Sequence, residues 1–239
     1  MKTINSDLGD IHITSSGIYC NNQKLEYIDS GAESHVYKYN DKAIKIYREI
    51  PNKRVLSESM VNKLKGITTK RVIMPEGILY EDKKIKGLYM PYIKGQQSEV
   101  YNLEKEKLIE EFSYIYDDLS ILGKEQIIID DLRMSNFICN SDAFYLIDTG
   151  DYYINKNIKN TTRINQDEFK TFIFNDIMKV IMQRQGVKHD IPLKLILGKL
   201  RKERYQSFEK YKEDIIEYLI DNMYSQETLT EYATRLIKK

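Results

Sequence analysis

Apolar and polar residues alternate along the first half of the chain, with the period of two that half-buried β-strands favour. Four stretches have this pattern: 17–28, centred on Asn21-Asn22; 34–47, centred on Asn40-Asp41; 71–81; and 84–93. Asn and Asp accept the positive φ angles that tight hairpin turns need, so the first two stretches are predicted hairpins. A helical pattern interrupts the strands at 52–65 and ends near Gly66.

The second half of the chain mostly follows the 3.6-residue period of helices. Its clearest element is the segment 103–123, with Gly123 as the predicted C-terminal cap. The apolar stripe of this helix is Leu108, Phe112, Ile115, Leu119 and Leu122. Short strands are predicted next at Ile127–Ile129, Phe137–Cys139 and Phe144–Ile147, with a turn at Asn140–Ala143. Further helices are predicted at 167–183, 191–203, 208–222 and 226–238.

These elements predict an α+β protein of two packed lobes, a strand-rich unit with one helix over 1–94 and a helix-rich unit over 95–239. Hydrophobic residues make up 41% of the 239 positions, enough for a core, and 37 Lys and Arg balance 36 Asp and Glu. Such a balance argues against a nucleic-acid-binding protein. No apolar run reaches the length of a membrane span and the N-terminus lacks a signal-peptide pattern, so we expect no membrane contact and a cytoplasmic location.

Polar side chains stand at the ends of the short strands in the second half. Asp130 and Asp131 follow one apolar run, Asn136 comes shortly after them, and Asp148 follows the last run. Carboxylates at the ends of buried strands cost free energy unless a positive charge meets them. Lys45, in the middle of an apolar strand of the first half, needs an anionic partner for a similar reason.

Four motifs occur in a fixed order along the chain. They are SGAESHVY at 30–37, a loop of small residues between two strands; AIK at 43–45; DDLRMSN at 130–136; and IDTG at 147–150. In this order they resemble the glycine-rich loop, the nucleotide lysine, the catalytic loop and the Asp-Phe-Gly metal motif of the protein-kinase superfamily. The resemblance covers most of the chain and implies a two-lobed protein-kinase-like fold with ATP between the lobes.

The resemblance implies a role for each matching residue. Lys45 holds the α- and β-phosphates of ATP, Asp131 accepts or orients the proton of the attacking hydroxyl, and Arg133 neutralises charge on the transferring phosphate. Asn136 and Asp148 hold Mg²⁺ against the phosphates. The other residues implied in nucleotide binding are Gly31, Ser34, Val36, Glu58, Met90 behind the adenine, and Tyr92 and Ile93 in a hinge that spans Pro91–Ile93.

Glu58 is the predicted partner that orients Lys45. Val55 and Val61 flank Glu58 at i±3, which places all three on one face of the predicted helix. Glu49 is the weaker alternative, because it precedes Pro51 and stands before the helix begins.

The chain departs from the family at several motif positions. Ile129-Asp130 replaces the His-Arg that usually precedes the catalytic Asp, Thr149 replaces the Phe of the metal motif, and Ala-Pro-Glu does not occur. Only about a dozen residues separate the metal motif from the next predicted helix. The long activation segment of regulated kinases is therefore not expected.

The resemblance favours an active ATP- and Mg²⁺-dependent phosphotransferase that acts on a protein hydroxyl, Ser or Thr. The short segment after the metal motif favours a small-molecule acceptor instead, as in aminoglycoside or metabolite kinases. Arg133 and the absence of His-Gly-Asp favour a protein acceptor. A pseudokinase that binds nucleotide without transfer is the remaining alternative, and the four polar residues Lys45, Asp131, Asn136 and Asp148 argue against it.

Overall fold

The structure, a computed structural model, describes residues 2–50, 55–148, 150–157, 159–178, 216–217 and 220–237. It is a mixed α and β fold with several antiparallel sheets, which confirms the predicted class at this level. No helix in these ranges is both long and apolar enough to cross a membrane.

The bounds of the elements are as follows. The strands are β1 (Lys2–Ile4), β2 (Ile11–Thr14), β3 (Gly17–Cys20), β4 (Gln23–Lys24), β5 (Glu26–Ser30), β6 (Ser34–Tyr39), β7 (Lys42–Tyr47), β8 (Gly77–Glu81), β9 (Lys84–Pro91), β10 (Ile127–Ile128), β11 (Phe137–Cys139), β12 (Phe144–Leu146) and β13 (Tyr153–Ile154). The helices are α1 (Glu58–Lys65), α2 (Lys105–Lys124), α3 (Thr161–Phe172) and α4 (Leu229–Ile237), with 3-10 turns at Gln97–Asn102 and Met134–Asn136 and a π-helical segment at Ile173–Met178.

A four-stranded antiparallel sheet, β1-β2-β3-β4, forms the N-terminal part of the chain. The predicted hairpin at Asn21-Asn22 is confirmed, with φ angles of 49° and 64° that suit a two-residue turn. The run after this turn does not stay in one strand, however. β4 pairs with β3, whereas β5 leaves the sheet and pairs with β6 of a second sheet. Leu25 between them is buried and marks the crossing point.

The second sheet has five strands in the order β5-β6-β7-β9-β8, and its central strand β7 has a different environment on each face. Ile44 and Ile46 are buried in a cluster with Ile4, Ile11 and Leu79, so the four-stranded sheet covers this outer face. Lys45 and Tyr47 point to the opposite, inner face because side chains alternate along a strand. The alternation in the sequence therefore places Lys45 toward the rest of the molecule.

Helix α1 is shorter than predicted. It begins at Glu58, because Ser57 caps it by accepting a hydrogen bond from the Met60 amide at 3.2 Å. Val55 therefore precedes the helix and is exposed, which removes the basis for placing it on one helical face with Glu58. The predicted end at Gly66 is confirmed. Positions 51–54 of the predicted helix lie outside the described residues.

Helix α2 confirms the predicted apolar stripe, all five members of which are buried: Leu108, Phe112, Ile115, Leu119 and Leu122. Its predicted cap at Gly123 is wrong, because the helix continues to Lys124 and is capped at Glu125. Gly123 instead allows a close helix approach, since a Cβ there would lie 2.3 Å from the Cα of Thr162 on α3. The glycine serves packing and not termination.

The short strands after α2 form two small antiparallel pairs. The predicted hairpin of β11 and β12 is confirmed, and the Asn140 side chain closes its turn by accepting hydrogen bonds from the Asp142 and Ala143 amides, both at 2.9 Å. Strand β10 pairs with β13, which follows the IDTG motif. Both pairs bring the two predicted catalytic segments next to each other.

Helix α3 begins at Thr161, six residues before the predicted start at Asp167. The prediction started too late because Thr161 and Asn165, on the inner face of the first turns, are polar but buried. Of the remaining predicted helices, 191–203 and most of 208–222 lie outside the described residues, whereas α4 confirms the helix predicted at 226–238.

A buried polar cluster fixes the segment between α1 and β8 to α2. Asp118 accepts hydrogen bonds from the backbone amides of Lys70, Arg71 and Val72. Glu111 binds the Arg71 guanidinium and accepts a 3.0 Å hydrogen bond from the Phe144 amide. Burial would raise the pKa of Glu111, but these bonds outweigh it and lower the pKa below its usual value. We call Arg71, Glu111 and Asp118 the structural carboxylate cluster.

Candidate functional site

The two halves of the predicted site meet in an ion pair. Nζ of Lys45, on the inner face of β7, lies 2.7 Å from both carboxylate oxygens of Asp148. The two residues are 103 positions apart, and their side chains are 14% and 31% exposed respectively. The backbone amide of Gly150 donates a third hydrogen bond to Asp148, at 2.9 Å. The structure thus brings together the lysine and the aspartate that the sequence singled out.

The loop after β10 holds Asp131 in an unusual backbone conformation, with φ at 67°. This left-handed geometry costs a non-glycine residue about 1 kcal/mol and is often found at functional sites. The Asn136 side-chain amide stabilises it by donating to the Asp131 carbonyl oxygen at 2.8 Å. The Arg133 guanidinium binds Oδ1 of Asp131. Three predicted site residues therefore form one compact unit.

This loop is joined to Asp148 through the backbone. The amide of Ile147 donates to the carbonyl oxygen of Asn136 at 2.9 Å. Asn136 therefore contacts Asp131 with its side chain and the residue before Asp148 with its main chain. Hydrogen bonds thus connect Asp131 to Asn136 and Asn136 to Ile147, whose neighbour in the chain, Asp148, pairs with Lys45.

Asn165 supports this arrangement, and the sequence analysis missed it. Its side chain is fully buried; it accepts a hydrogen bond from the Ile129 amide at 3.1 Å and donates to the Ile127 carbonyl at 2.9 Å. These contacts fix the backbone directly before Asp130 and Asp131. The sequence spacing could have indicated that Asn165 is buried, because Asn165 shares one helical face with the buried Phe169 and Phe172.

Several carboxylates surround the pair of Lys45 and Asp148. Burial, and then the charges of Asp148, Glu33 and Asp131, raise the pKa of Asp151. Burial also raises the pKa of Tyr47, with smaller contributions from Asp148 and Asp151. The carboxylates around Lys45 are therefore close enough to oppose one another's ionisation, as expected for a site that receives cations.

Glu58 does not meet Lys45. It lies off the buried face of α1, is exposed, and hydrogen-bonds to Tyr80 beside a cavity of about 360 Å³. Among the described residues, the ion-pair partner of Lys45 is Asp148. The alternative, Glu49, is also elsewhere, since it pairs with Lys2 and Lys86. Neither expected glutamate orients the lysine in this structure.

The residues predicted to cover a nucleotide lie on the inner side of the five-stranded sheet. Val36 is the register partner of Lys45, and Met90, which is buried, is the partner of Ala43. In the loop before β6, the Gly31 amide donates to the Ser34 carbonyl at 3.0 Å. A Cβ at Gly31 would meet nothing within 4 Å, so packing does not require a glycine there.

The segment after β9 was predicted to be the hinge. Its Tyr92 amide donates to the Asp41 carbonyl at 2.8 Å, and Nζ of Lys38 lies 4.8 Å from the centre of the Tyr92 ring. Pro91 has no N–H to donate. Ile93 is therefore the position of the hinge at which a ligand can find a backbone donor.

The oxygen donors of the site fit a magnesium ion in kind. Mg²⁺ prefers one or two carboxylates, supplemented by amide oxygen, water and phosphate. Asp148 supplies a carboxylate, and Asn136 supplies an amide oxygen, which accepts a 3.3 Å hydrogen bond from the Ser135 hydroxyl. No group of three or more His, Cys, Asp or Glu in the described parts of the chain is arranged as a metal site. The protein ligands would therefore be few, with phosphate completing the shell.

Comparisons with known proteins give no further assignment. No protein-family model matches the chain, and no curated protein matches it. The role of the site has to be inferred from its own residues and geometry.

Proposed function

We propose that the chain has a two-lobed protein-kinase-like fold and transfers the γ-phosphate of ATP to a hydroxyl group. The observation that carries the proposal is the meeting of Lys45 and Asp148 beside Asp131 and Asn136. These four side chains come from three motifs, since Asp131 and Asn136 share one, and the motifs follow one another in the order that the resemblance requires. Positioning and charge neutralisation are the main tasks in phosphoryl transfer, and the site contains groups for both.

In this proposal the polar groups act on different parts of the reaction. Lys45 binds phosphate oxygens and fixes the nucleotide, and Asp131 accepts a hydrogen bond from the acceptor hydroxyl and receives its proton. Arg133 is 61% exposed and lies against Asp131, from where its guanidinium can neutralise charge on the transferring phosphate. Asn165 and Asn136 fix the backbone around Asp131.

Asn136 and Asp148 would hold the magnesium ion, which when bound supplies positive charge to the phosphates. Adenine would lie between Val36 and Met90, with the Ile93 amide as a donor at the hinge. Gly31 and Ser34 would lie over the phosphates, where a loop of small residues allows close approach of the backbone. In this proposal Glu58 orients Lys45 only in a state in which α1, or the side chain of Glu58, has moved toward the lysine.

A protein Ser or Thr remains the preferred acceptor, because Arg133 follows the catalytic Asp. One observation favours a small-molecule acceptor. Helix α3 begins at Thr161, so only 12 positions, 149–160, separate Asp148 from it. Such a short segment offers little surface for a peptide.

Another observation favours a pseudokinase. Lys45 binds Asp148, and Glu58 is directed to Tyr80. This arrangement leaves the nucleotide lysine engaged by the residue that is needed for metal.

The proposal is tested by incubating the protein with γ-labelled ATP and Mg²⁺, with and without cell lysate. We expect label in protein; label in the small-molecule fraction would identify the alternative acceptor. Asp131→Asn should lower kcat by orders of magnitude while nucleotide affinity changes little, because Asp131 faces the acceptor. Asp130→Asn, at the neighbouring exposed position, is the matched control. Nucleotide binding without any transfer would support the pseudokinase, and absence of both would contradict the proposal.

A further inference from the structure

The ion pair of the site places the nucleotide lysine on the candidate metal ligand. Both carboxylate oxygens of Asp148 lie 2.7 Å from Nζ of Lys45, and Oδ1 also accepts from the Gly150 amide at 2.9 Å. Charge-assisted hydrogen bonds of this length are among the stronger polar contacts in proteins. A divalent cation that approaches Asp148 meets an ammonium group already in place, and like charges at short range repel.

The negative charges around the site stabilise Lys45 in its contact with Asp148. Glu33, Asp131 and Asp148 all lie within electrostatic range of Asp151, so the ammonium offsets part of a concentrated negative charge. Glu58 is directed to Tyr80, and no other ion-pair partner of Lys45 occurs among the residues that the structure describes. A group with more negative charge than one carboxylate is needed to draw the lysine away.

We propose that Lys45 is an internal counter-ion that makes binding of a divalent cation conditional on binding of a polyphosphate. This inference rests on the proposed function. A nucleoside triphosphate carries several negative charges, so it draws the ammonium from Asp148 to its own oxygens. Asp148 is then exposed to the cation, and the phosphate supplies further oxygen ligands. Because the coupling is thermodynamic, the cation also raises the affinity for the nucleotide.

Removing the charge of Lys45 and removing the charge of Asp148 should have different effects on cation binding. Loss of the lysine should open Asp148 to a cation without any nucleotide. Loss of the aspartate should remove the cation site both with and without nucleotide. Lys42 offers a matched control, because it lies on the same strand and pairs with Asp41 and Glu76 on the surface.

The experiment measures Mn²⁺ binding by the electron paramagnetic resonance signal of the free ion, first without nucleotide. Lys45→Met should bind Mn²⁺ at least about tenfold more tightly than the unchanged protein, a difference of about 1.4 kcal/mol. Lys42→Met should not differ from the unchanged protein, and Lys45→Met combined with Asp148→Asn should lose the gain. Lys45→Gln, which keeps a polar group, serves if the methionine variant unfolds at a lower temperature.

A second titration uses a non-hydrolysable ATP analogue, with Mn²⁺ binding to the analogue alone subtracted. The analogue should raise the Mn²⁺ affinity of the unchanged protein about tenfold and have a much smaller effect in Lys45→Met. Equal Mn²⁺ affinity of the unchanged protein and both Lys45 variants would overturn the inference, even if transfer is observed. A gain in Lys45→Met without any nucleotide binding would support the counter-ion role and overturn the proposed function.

Discussion

Two sets of carboxylates join the sheet side of the molecule to its helical side, and they differ in how fully they are satisfied. In the structural carboxylate cluster, Glu111 is 0% and Asp118 is 2% exposed, and backbone amides and Arg71 occupy their oxygens. The side chain of Asp148 at the site is 31% exposed, and it binds the side chain of Lys45 and the backbone amide of Gly150. Asp118 is held by backbone amides, which cannot move without local unfolding, and Glu111 is held by one backbone amide and by the largely buried Arg71. Lys45, by contrast, is a side chain that can move to another anion.

This difference separates structural from functional acids better than motif or charge alone. Backbone amides are rigid donors, so a carboxylate that accepts several of them serves as a permanent connection. Asp148 accepts hydrogen bonds from the backbone amide of Gly150 and from the ammonium group of Lys45. A ligand with stronger charges can compete for the second contact. We therefore expect substitutions in the two sets to alter different properties.

The largest expected effect is on the site. Asp148→Asn should lower transfer at least about a thousandfold, because it removes the charge that holds the cation. The free energy of unfolding should fall by no more than about 1 kcal/mol, since the pair is partly exposed. Asp142→Asn, an exposed acid in the preceding hairpin turn, is the control. Transfer within tenfold of the unchanged protein would rule out Asp148 as the metal ligand.

The structural carboxylate cluster should respond in the opposite way. Glu111→Gln leaves Arg71 without its charge partner in a buried place, so the free energy of unfolding should fall by about 3 kcal/mol. Glu110→Gln is the matched control, because Glu110 also pairs with Lys107 but has a side chain that is 43% exposed. Urea unfolding measures both. A loss in Glu110→Gln as large as in Glu111→Gln would show that burial does not distinguish the two acids.

The dependence of the free energy of unfolding on acidic pH tests the role of Glu111 further. The pKa of Glu111 is lowered below its usual value of 4.5, so its contribution to stability is complete above about pH 4.5 and is lost as the pH falls through the lowered pKa. Glu111→Gln has no proton to gain at this position. The difference in unfolding free energy between the two proteins should therefore shrink as the pH falls below about 4.5 and through the lowered pKa. A difference that stays constant over this range would contradict the assignment.

The smallest expected effect concerns phosphorylation between Asp151 and Gln166. Asp130 stands where many kinases have the arginine that binds an activation-segment phosphate, and it would repel one. Thr161 is buried at the start of α3, and Thr162 packs against Gly123. Phosphatase treatment should leave kcat unchanged. A large fall that rephosphorylation of Tyr152, Tyr153, Thr161 or Thr162 restores would mean that another basic residue has taken this role.

The resemblance of four motifs to the protein-kinase superfamily predicted that Lys45, Asp131 and Asp148 belong to one site. Strand periodicity explains the direction of Lys45, since the alternation along β7 directs this side chain to the inner face. Glu58 was misplaced because the helix begins six residues later than predicted, so Val55 precedes it and does not share a helical face with Glu58. Ser57 as a cap was readable from the sequence, and it would have corrected this.

The buried acids were missed because only apolar residues were used to define the inner face of α2. Glu111 and Asp118 stand at i+3 from Leu108 and Ile115, inside the apolar stripe. An acid at such a position indicates a buried partner. The identity of that partner was not readable, because Arg71 comes from a segment 40 residues away. Of the N-terminal sheet, only the β3–β4 hairpin was predicted, from its turn at Asn21-Asn22.

The two-faced environment of β7 also limits how the length of the chain can change. An insertion or deletion of one residue between Asn40 and Lys45 would turn the ammonium toward Ile4 and Ile11 and direct an isoleucine at Asp148. Changes of two residues would restore the face but shift the lysine along the strand by about 7 Å, beyond the reach of the aspartate. The turn at Asp82-Lys83, at the far end of β8 and β9, lies outside this restriction. Natural variation in length should therefore be found at that turn and be absent from β7.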